Sequence, residues 1–204
     1  SSAASDVYKR QVDIYEDRLG SYLVKLSGYD LSDTDSKQIS KLLHTIGDFE
    51  RISDHAVNVM QAAKEIEEKK APLSPEGLAE IKVATAAIRE IMEIAIKAFD
   101  ENNLELAYRV EPLEQVVDGI IEGIKLNHIN RLQAGKCTIQ QGFVLSDILT
   151  NYERVTDNCS NIAVAMIELS KSAFDTHEYL DKLKTMDDPE FRKMFTEYKK
   201  KYAI

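Results

Sequence analysis

Tryptophan is absent from this 204-residue chain, and proline (4) and glycine (8) are scarce. So few chain-breakers favour a small number of long helices, and no stretch alternates with the period of two expected of strands. Only two cysteines occur, Cys137 and Cys159, and they form no C-x-x-C pair. Two ordinary thiols in a reducing compartment is the reading that fits. No run approaches the ~18–20 consecutive apolar residues of a membrane span, and the first residues carry no secretion-signal pattern. Basic excess is lacking too: 26 Lys and Arg face 35 Asp and Glu, a net charge of −9. That argues against nucleic acid as a partner, because phosphate neutralisation needs a basic surface, and it suits the binding of cations. With 44% hydrophobic and 30% charged residues, the composition is that of a soluble globular protein with a core that needs no disulfides.

What is present is a repeat. Glu-Arg-Ile-Ser-Asp-His-Ala-Val-Asn begins at Glu50 and Glu-Arg-Val-Thr-Asp-Asn-Cys-Ser-Asn at Glu153, an offset of 103 residues. Glu50, Arg51, Asp54 and Asn58 map without a gap onto Glu153, Arg154, Asp157 and Asn161. The match points to an internally duplicated chain whose halves share one chemical site.

Start and stop signals predict six helices. The first runs over about 7–27 and ends at Gly28 in a left-handed conformation. The second, 33–69, is capped by Ser32-Asp33-Thr34-Asp35, carries an apolar ladder of Ile39, Leu43, Ile46, Val57 and Met60, and is stopped by Ala71-Pro72. Ser74-Pro75-Glu76 opens the third, 75–101. The fourth spans 104–133, with a kink at Pro112 and an end at Gly135. The fifth covers 139–171 and the sixth 175–202, with a break near Asp187-Asp188-Pro189. The expected fold is therefore all-α, two tandem three-helix bundles, one over 12–101 and the other over 102–204. Residues 1–11, SSAASDVYKRQ, read as a non-native or disordered leader resembling a translated adapter scar, with the natural protein continuing upstream of about Val12.

Within each repeat the acids share an arc with apolar side chains. On a helical wheel of about 100° per residue, Glu50 and Asp54 fall beside Leu43 and Val57, and Glu153 and Asp157 sit likewise beside Leu149. Carboxylates on such an arc are partly desolvated and call for a compensating partner. The first helix adds Asp13 and Asp17 at i and i+4, and the fourth adds Glu114 and Asp118, with Glu111 one turn earlier. Roughly four carboxylates then converge per bundle, an oxygen-rich set suited to Mg, Ca, Mn or iron, with zinc possible. Asp48, Asp147 and His55 are second-rank ligands, and His55 has Asn158 as its counterpart. Arg51 and Arg154 are supporting residues. The competing reading is a helical interaction module in which these acids make only salt bridges, Arg51 and Arg154 serving as their counterions. A metal-dependent enzyme with a water nucleophile is the third. No Glu stands three residues before any histidine, which removes the di-iron oxidase pattern. No P-loop, Rossmann fingerprint, G-x-S-x-G or H-E-x-x-H occurs, so the chain is expected not to be an enzyme. Lys199-Lys200-Lys201 could touch anionic lipid, although a solvated terminus is the simpler reading.

The strings D-F-E-R-I-S-D-H-A-V-N from Asp48 and N-Y-E-R-V-T-D-N-C-S-N from Asn151 resemble the paired signatures of PhoU proteins. More closely, the arrangement is similar to the PhoU-like C-terminal region of bacterial sodium/phosphate cotransporter family proteins. Tyr15-Glu16-Asp17-Arg18-Leu19-Gly20-Ser21-Tyr22-Leu23, Val110-Glu111-Pro112-Leu113-Glu114-Gln115 and His177-Glu178-Tyr179-Leu180 support it. The resemblance implies two three-helix bundles with E/D-x-x-x-D clusters holding iron or zinc, and a regulator of phosphate uptake rather than a catalyst. Glu50, Asp54, Glu153 and Asp157 carry over as the motif acids; Asn158 departs from the histidine usual in the closer relatives. The implied partner is a membrane transporter domain, in cis if the chain is part of a cotransporter, on the cytoplasmic side of the plasma membrane. A second copy of the chain is a further candidate partner.

Overall fold

The computed structural model describes residues 2–68, 72–170 and 188–204, with side chains described from Val7 onward. Among these described residues there are seven helices: α1 (Ser2–Leu26), α2 (Asp33–Glu68), α3 (Pro75–Asp100), α4 (Leu104–Ala107), α5 (Val110–Gln133), α6 (Ile139–Ser170) and α7 (Pro189–Lys201). Among the described residues there is no strand, so the all-α expectation holds. The His177–Leu180 string and most of the expected sixth helix lie outside the described residues, as do Ala71 and the last residues expected of the second and fifth helices.

The starts are set by side-chain caps. Ser32 Oγ accepts from the Asp35 amide at 3.1 Å, and Ser74 Oγ accepts from Gly77 at 3.1 Å with Pro75 opening α3. Thr138 and Gln141 exchange bonds at the start of α6, Gln141 N to Thr138 Oγ1 at 3.2 Å and Thr138 N to Gln141 Oε1 at 2.7 Å. This is a capping box, legible in the sequence as T-x-x-Q. Asp188 caps α7 through Glu190 N. Gly135 ends α5 with φ +67°, a conformation costly for a side chain. Gly28, expected to do the same for α1, does not: the positive-φ residues among those described are Asn102 and Gly135. The chain leaves α1 through Gly28 and Tyr29 amides bonded to Lys25 and Leu26 carbonyls, a tightened right-handed turn. Pro112 is no kink either. The expected fourth helix divides into α4 and α5, which puts Pro112 in the first turn of α5, where no intrahelical donor is lost.

α3 packs against α5 and α6, so these three make the compact bundle, while α2 lies along α6 and α1 lies on α2. The physical reason is the stripe Ile81, Ala84, Ile88, Ile91 and Ala95: its alanines let α3 seat closely on α5 and α6. α7 closes over α5, with Arg109 donating to the Tyr198 hydroxyl at 2.9 Å. Lys201 is not free for lipid, since it pairs with Glu90 at 2.7 Å, and Tyr202 also bonds Glu90.

α2 has two working faces. The expected ladder is half-buried apart from Ile39, which is buried, and the other deeply buried positions are Thr45, Asp48, Ile52 and Ala62. On the wheel these four fall on the side opposite Ile46, turned to α6. Asn161 Nδ2 donates to Asp48 Oδ1 at 3.3 Å, and Asn58 Nδ2 donates to Asn151 Oδ1 at 3.1 Å. Asp48 and Asn58 map onto Asn151 and Asn161, so one contact is made twice about a local twofold. The duplication read from the strings is thus built into the α2–α6 seam.

Candidate functional site

The ladder side of α2 faces α1, and it carries the motif acids. Asp13 from α1 and Glu50 and Asp54 from α2, all half-buried, each place a carboxylate oxygen within 4.8 Å of the others. The i, i+4 spacing stacks Glu50 and Asp54 on one face, and the Gly28–Asp33 connection returns α2 beside α1. Burial, reinforced by Asp54 and Asp13, holds the Glu50 carboxyl above its ordinary range. Asp13 Oδ1 is buried and accepts no hydrogen bond. Three converging carboxylates, one with an unbonded buried oxygen, fit a bound hard or intermediate cation.

One cation already approaches. Lys9 Nζ lies 2.7 Å from Asp54 Oδ1, and this pairing holds the ammonium above its ordinary range. Lys9 lies on α1, which begins at Ser2 and so takes in the residues expected to form a disordered leader. Deleting residues 1–11, or Lys9→Ala alone, is therefore expected to tighten cation binding at this cluster by about a few-fold. Isothermal titration with Mn or Zn reads the change, and unchanged affinity would show that the ammonium does not compete.

The second half assembles more loosely. Among the described residues no trio on α5 and α6 meets as closely as Asp13, Glu50 and Asp54 do. The charges still act on one another. Glu114 is pushed up to about 8, by burial first and then by Glu111, Asp118 and Asp157. Asp118 is raised by burial and by Glu153 and Asp157. Lys125 lies 3.7 Å from Glu153 and 2.9 Å from Glu122, and Arg154 reaches Asp157 at 3.4 Å. Glu111 is partly engaged, accepting from Ser160 Oγ at 2.7 Å.

The remaining residues singled out by sequence divide clearly. Asp17 is exposed and stands outside the first trio. Asp48 and His55 face α6 instead: Asp48 is 5% exposed against Asn161, and His55 Nδ1 pairs with Asn151 Oδ1 at 2.8 Å. Neither belongs to the trio, because both project from the seam side of α2. Arg51 likewise turns to Asp48 at 3.2 Å, away from Glu50 and Asp54. Asp147 is exposed, and its backbone carbonyl accepts from Asn151. The free thiols make no pair: Cys159 is buried and pushed up to about 12 by that burial, and Cys137 is half-buried beside His128. Sequence reasoning missed the clamp in which Arg131 grips both oxygens of Glu80 at 2.8 Å while Asn127 donates to Oε1 at 2.9 Å. No local signal exposes it, since 51 residues separate its partners.

With this geometry in hand, the comparisons fall into place. The family model described as the PhoU domain matches residues 2–63 and 82–166. The chain is 28% identical over 138 residues to the phosphate-specific transport system accessory protein PhoU homolog 1 of Thermotoga maritima, covering 67% of this chain and 59% of that protein. It is 24% identical over 135 residues to the corresponding PhoU homolog of Clostridium acetobutylicum, covering 66% and 60%. The chain thus spans about six-tenths of the length of these curated relatives. The crystal structure of PhoU from Pseudomonas aeruginosa superposes with a TM-score of 0.76 at 22% identity, over 83% of this chain and 80% of that one. It shares the fold.

Proposed function

The chain belongs to the PhoU domain family, and from that premise we propose that it is a regulatory module of phosphate uptake whose two halves bind metal cations through paired acids. The observation that carries the reading is the trio Asp13, Glu50 and Asp54 with the unbonded buried oxygen of Asp13, and the repetition of its motif acids at Glu153 and Asp157. Glu114 and Asp118 stand beside that second pair. Iron or zinc is the cation we favour, with Mg, Mn or Ca as alternatives that oxygen ligands also hold. The named function of the Thermotoga and Clostridium relatives, accessory to phosphate-specific transport, supports the regulatory role. In this proposal the module acts without catalysis, at the cytoplasmic side of the plasma membrane. Its partner is a membrane transporter domain, joined in cis if the protein is a sodium/phosphate cotransporter. No described helix is long and apolar enough to cross a membrane.

Phosphate uptake by bacterial cells lacking their own PhoU tests this. Expression of the chain is expected to lower uptake, and the Glu50→Ala/Asp54→Ala/Glu153→Ala/Asp157→Ala variant is expected not to. Equal restraint by both chains would leave an interaction module whose acids make only salt bridges. No restraint by either would remove the regulatory role.

A further inference from the structure

We infer that the outer face of the α5–α6 hairpin is a docking surface for a basic amphipathic helix of a partner protein. Four large apolar side chains stand in solvent there: Leu126 (59% exposed), Ile129 (50%), Ile139 (65%) and Phe143 (69%). They flank the same end of the hairpin, because α5 and α6 run antiparallel from the Gly135 turn. The two helices approach closely at this level. The His128 ring packs so near Gly142 that a Cβ there would lie 2.7 Å from Nε2. Exposed apolar clusters of this kind mark binding surfaces or aggregation sites more often than chance.

Charge selects the occupant. Glu122 is one turn before Leu126 on α5, and Asp147 is one turn after Phe143 on α6, so each acid continues the outward line of its apolar neighbour. Both are exposed. Further along the same pair of helices come Glu153 and Asp157. Lys125 and Arg154 are the cations that meet these acids among the described residues. The face therefore grades from an apolar tip to a strip of partly paired acids that begins at Glu122 and Asp147. An amphipathic helix of about 12 residues would span it, since each residue advances ~1.5 Å. Its apolar side chains would sit at the tip, and lysines or arginines one to two turns further would meet the acids. A second copy would set like strip against like strip, and an anionic membrane would meet the same repulsion. The inference does not rest on metal binding.

Fluorescence anisotropy with a labelled synthetic peptide of about 14 residues decides the matter. One version carries Leu and Ile at i, i+3, i+4 and i+7 with Lys on the following turns; its control carries Glu in place of Lys. The Lys peptide is expected to bind the intact chain at least about tenfold more tightly than the control, with affinity falling as salt rises. Ile139→Ser/Phe143→Ser should weaken it about tenfold, as should Glu122→Gln/Asp147→Asn. All four positions are exposed, so each double variant should keep the wild-type melting temperature. Equal binding of both peptides, binding unaffected by the variants, or no binding would overturn the inference. So would a dimer by light scattering that Phe143→Ser dissolves, or uptake of the chain onto anionic vesicles in preference to the peptide.

Discussion

Arg131→Ala is expected to destabilise the fold by about 3–5 kcal/mol, as is any substitution that leaves Glu80 charged and alone. The two side chains are 11% and 13% exposed and meet as a fork on both carboxylate oxygens. Removing the guanidinium strands a desolvated carboxylate between α3 and α5, with Asn127 as its one remaining donor. For a chain of this length the loss corresponds to a fall in Tm of roughly 10 °C. The pair itself need not be stabilising, since the desolvation of both charges offsets their attraction. Glu80→Leu/Arg131→Met should therefore recover most of what the single variant loses. Urea denaturation of the three proteins measures this. A single variant within about 1 kcal/mol of wild type would mean the clamp is not buried as described.

Glu114→Gln is expected to stabilise the metal-free protein, increasingly so as pH rises. Its carboxyl is held up at about 8 in the fold against 4.5 for the free side chain. Between those values the folded state holds a proton that the unfolded chain has released, so the wild-type protein loses stability as pH climbs. At about 1.4 kcal/mol per unit the full penalty is roughly 5 kcal/mol above pH 8, and it vanishes below pH 4. Glutamine has the same shape and no charge, so the variant should escape that loss. Melting curves at pH 5, 7 and 8.5 after chelation read it directly. A gap that does not widen with pH would show that burial at Glu114 is relieved by solvent. With metal restored the advantage should shrink or reverse, because a cation stabilises the ionised form.

The reach of the sequence differed between chemistry and topology. Helix limits were legible because their causes are local: Ser32, Ser74-Pro75, Gly135 and Asp188-Pro189 act within one turn of themselves. Glu50 and Asp54 were legible as a pair because i, i+4 spacing fixes their shared face, and the trio with Asp13 followed from adjacency of α1 and α2. Three things were not. The contacts of α3 with α5 and α6 depend on which apolar stripes fit, which chain order alone does not show. The polar seam of α2 hid in plain view, because Thr45, Asp48 and His55 do not read as an interface until Asn151 and Asn161 stand opposite. His55 was drawn towards the metal by its place beside Asp54, yet one residue turns a side chain by ~100° and sends it to the other face.

Metal analysis of half-specific variants is the most direct test of the central claim. The intact chain, purified from metal-replete cells and measured by mass spectrometry, is predicted to carry stoichiometric cation. Asp13→Asn/Glu50→Gln/Asp54→Asn should lose the first half's share and keep the rest; Glu114→Gln/Asp118→Asn/Glu153→Gln/Asp157→Asn should do the converse. A chain that holds no stoichiometric metal, or one whose content neither variant changes, would contradict the account.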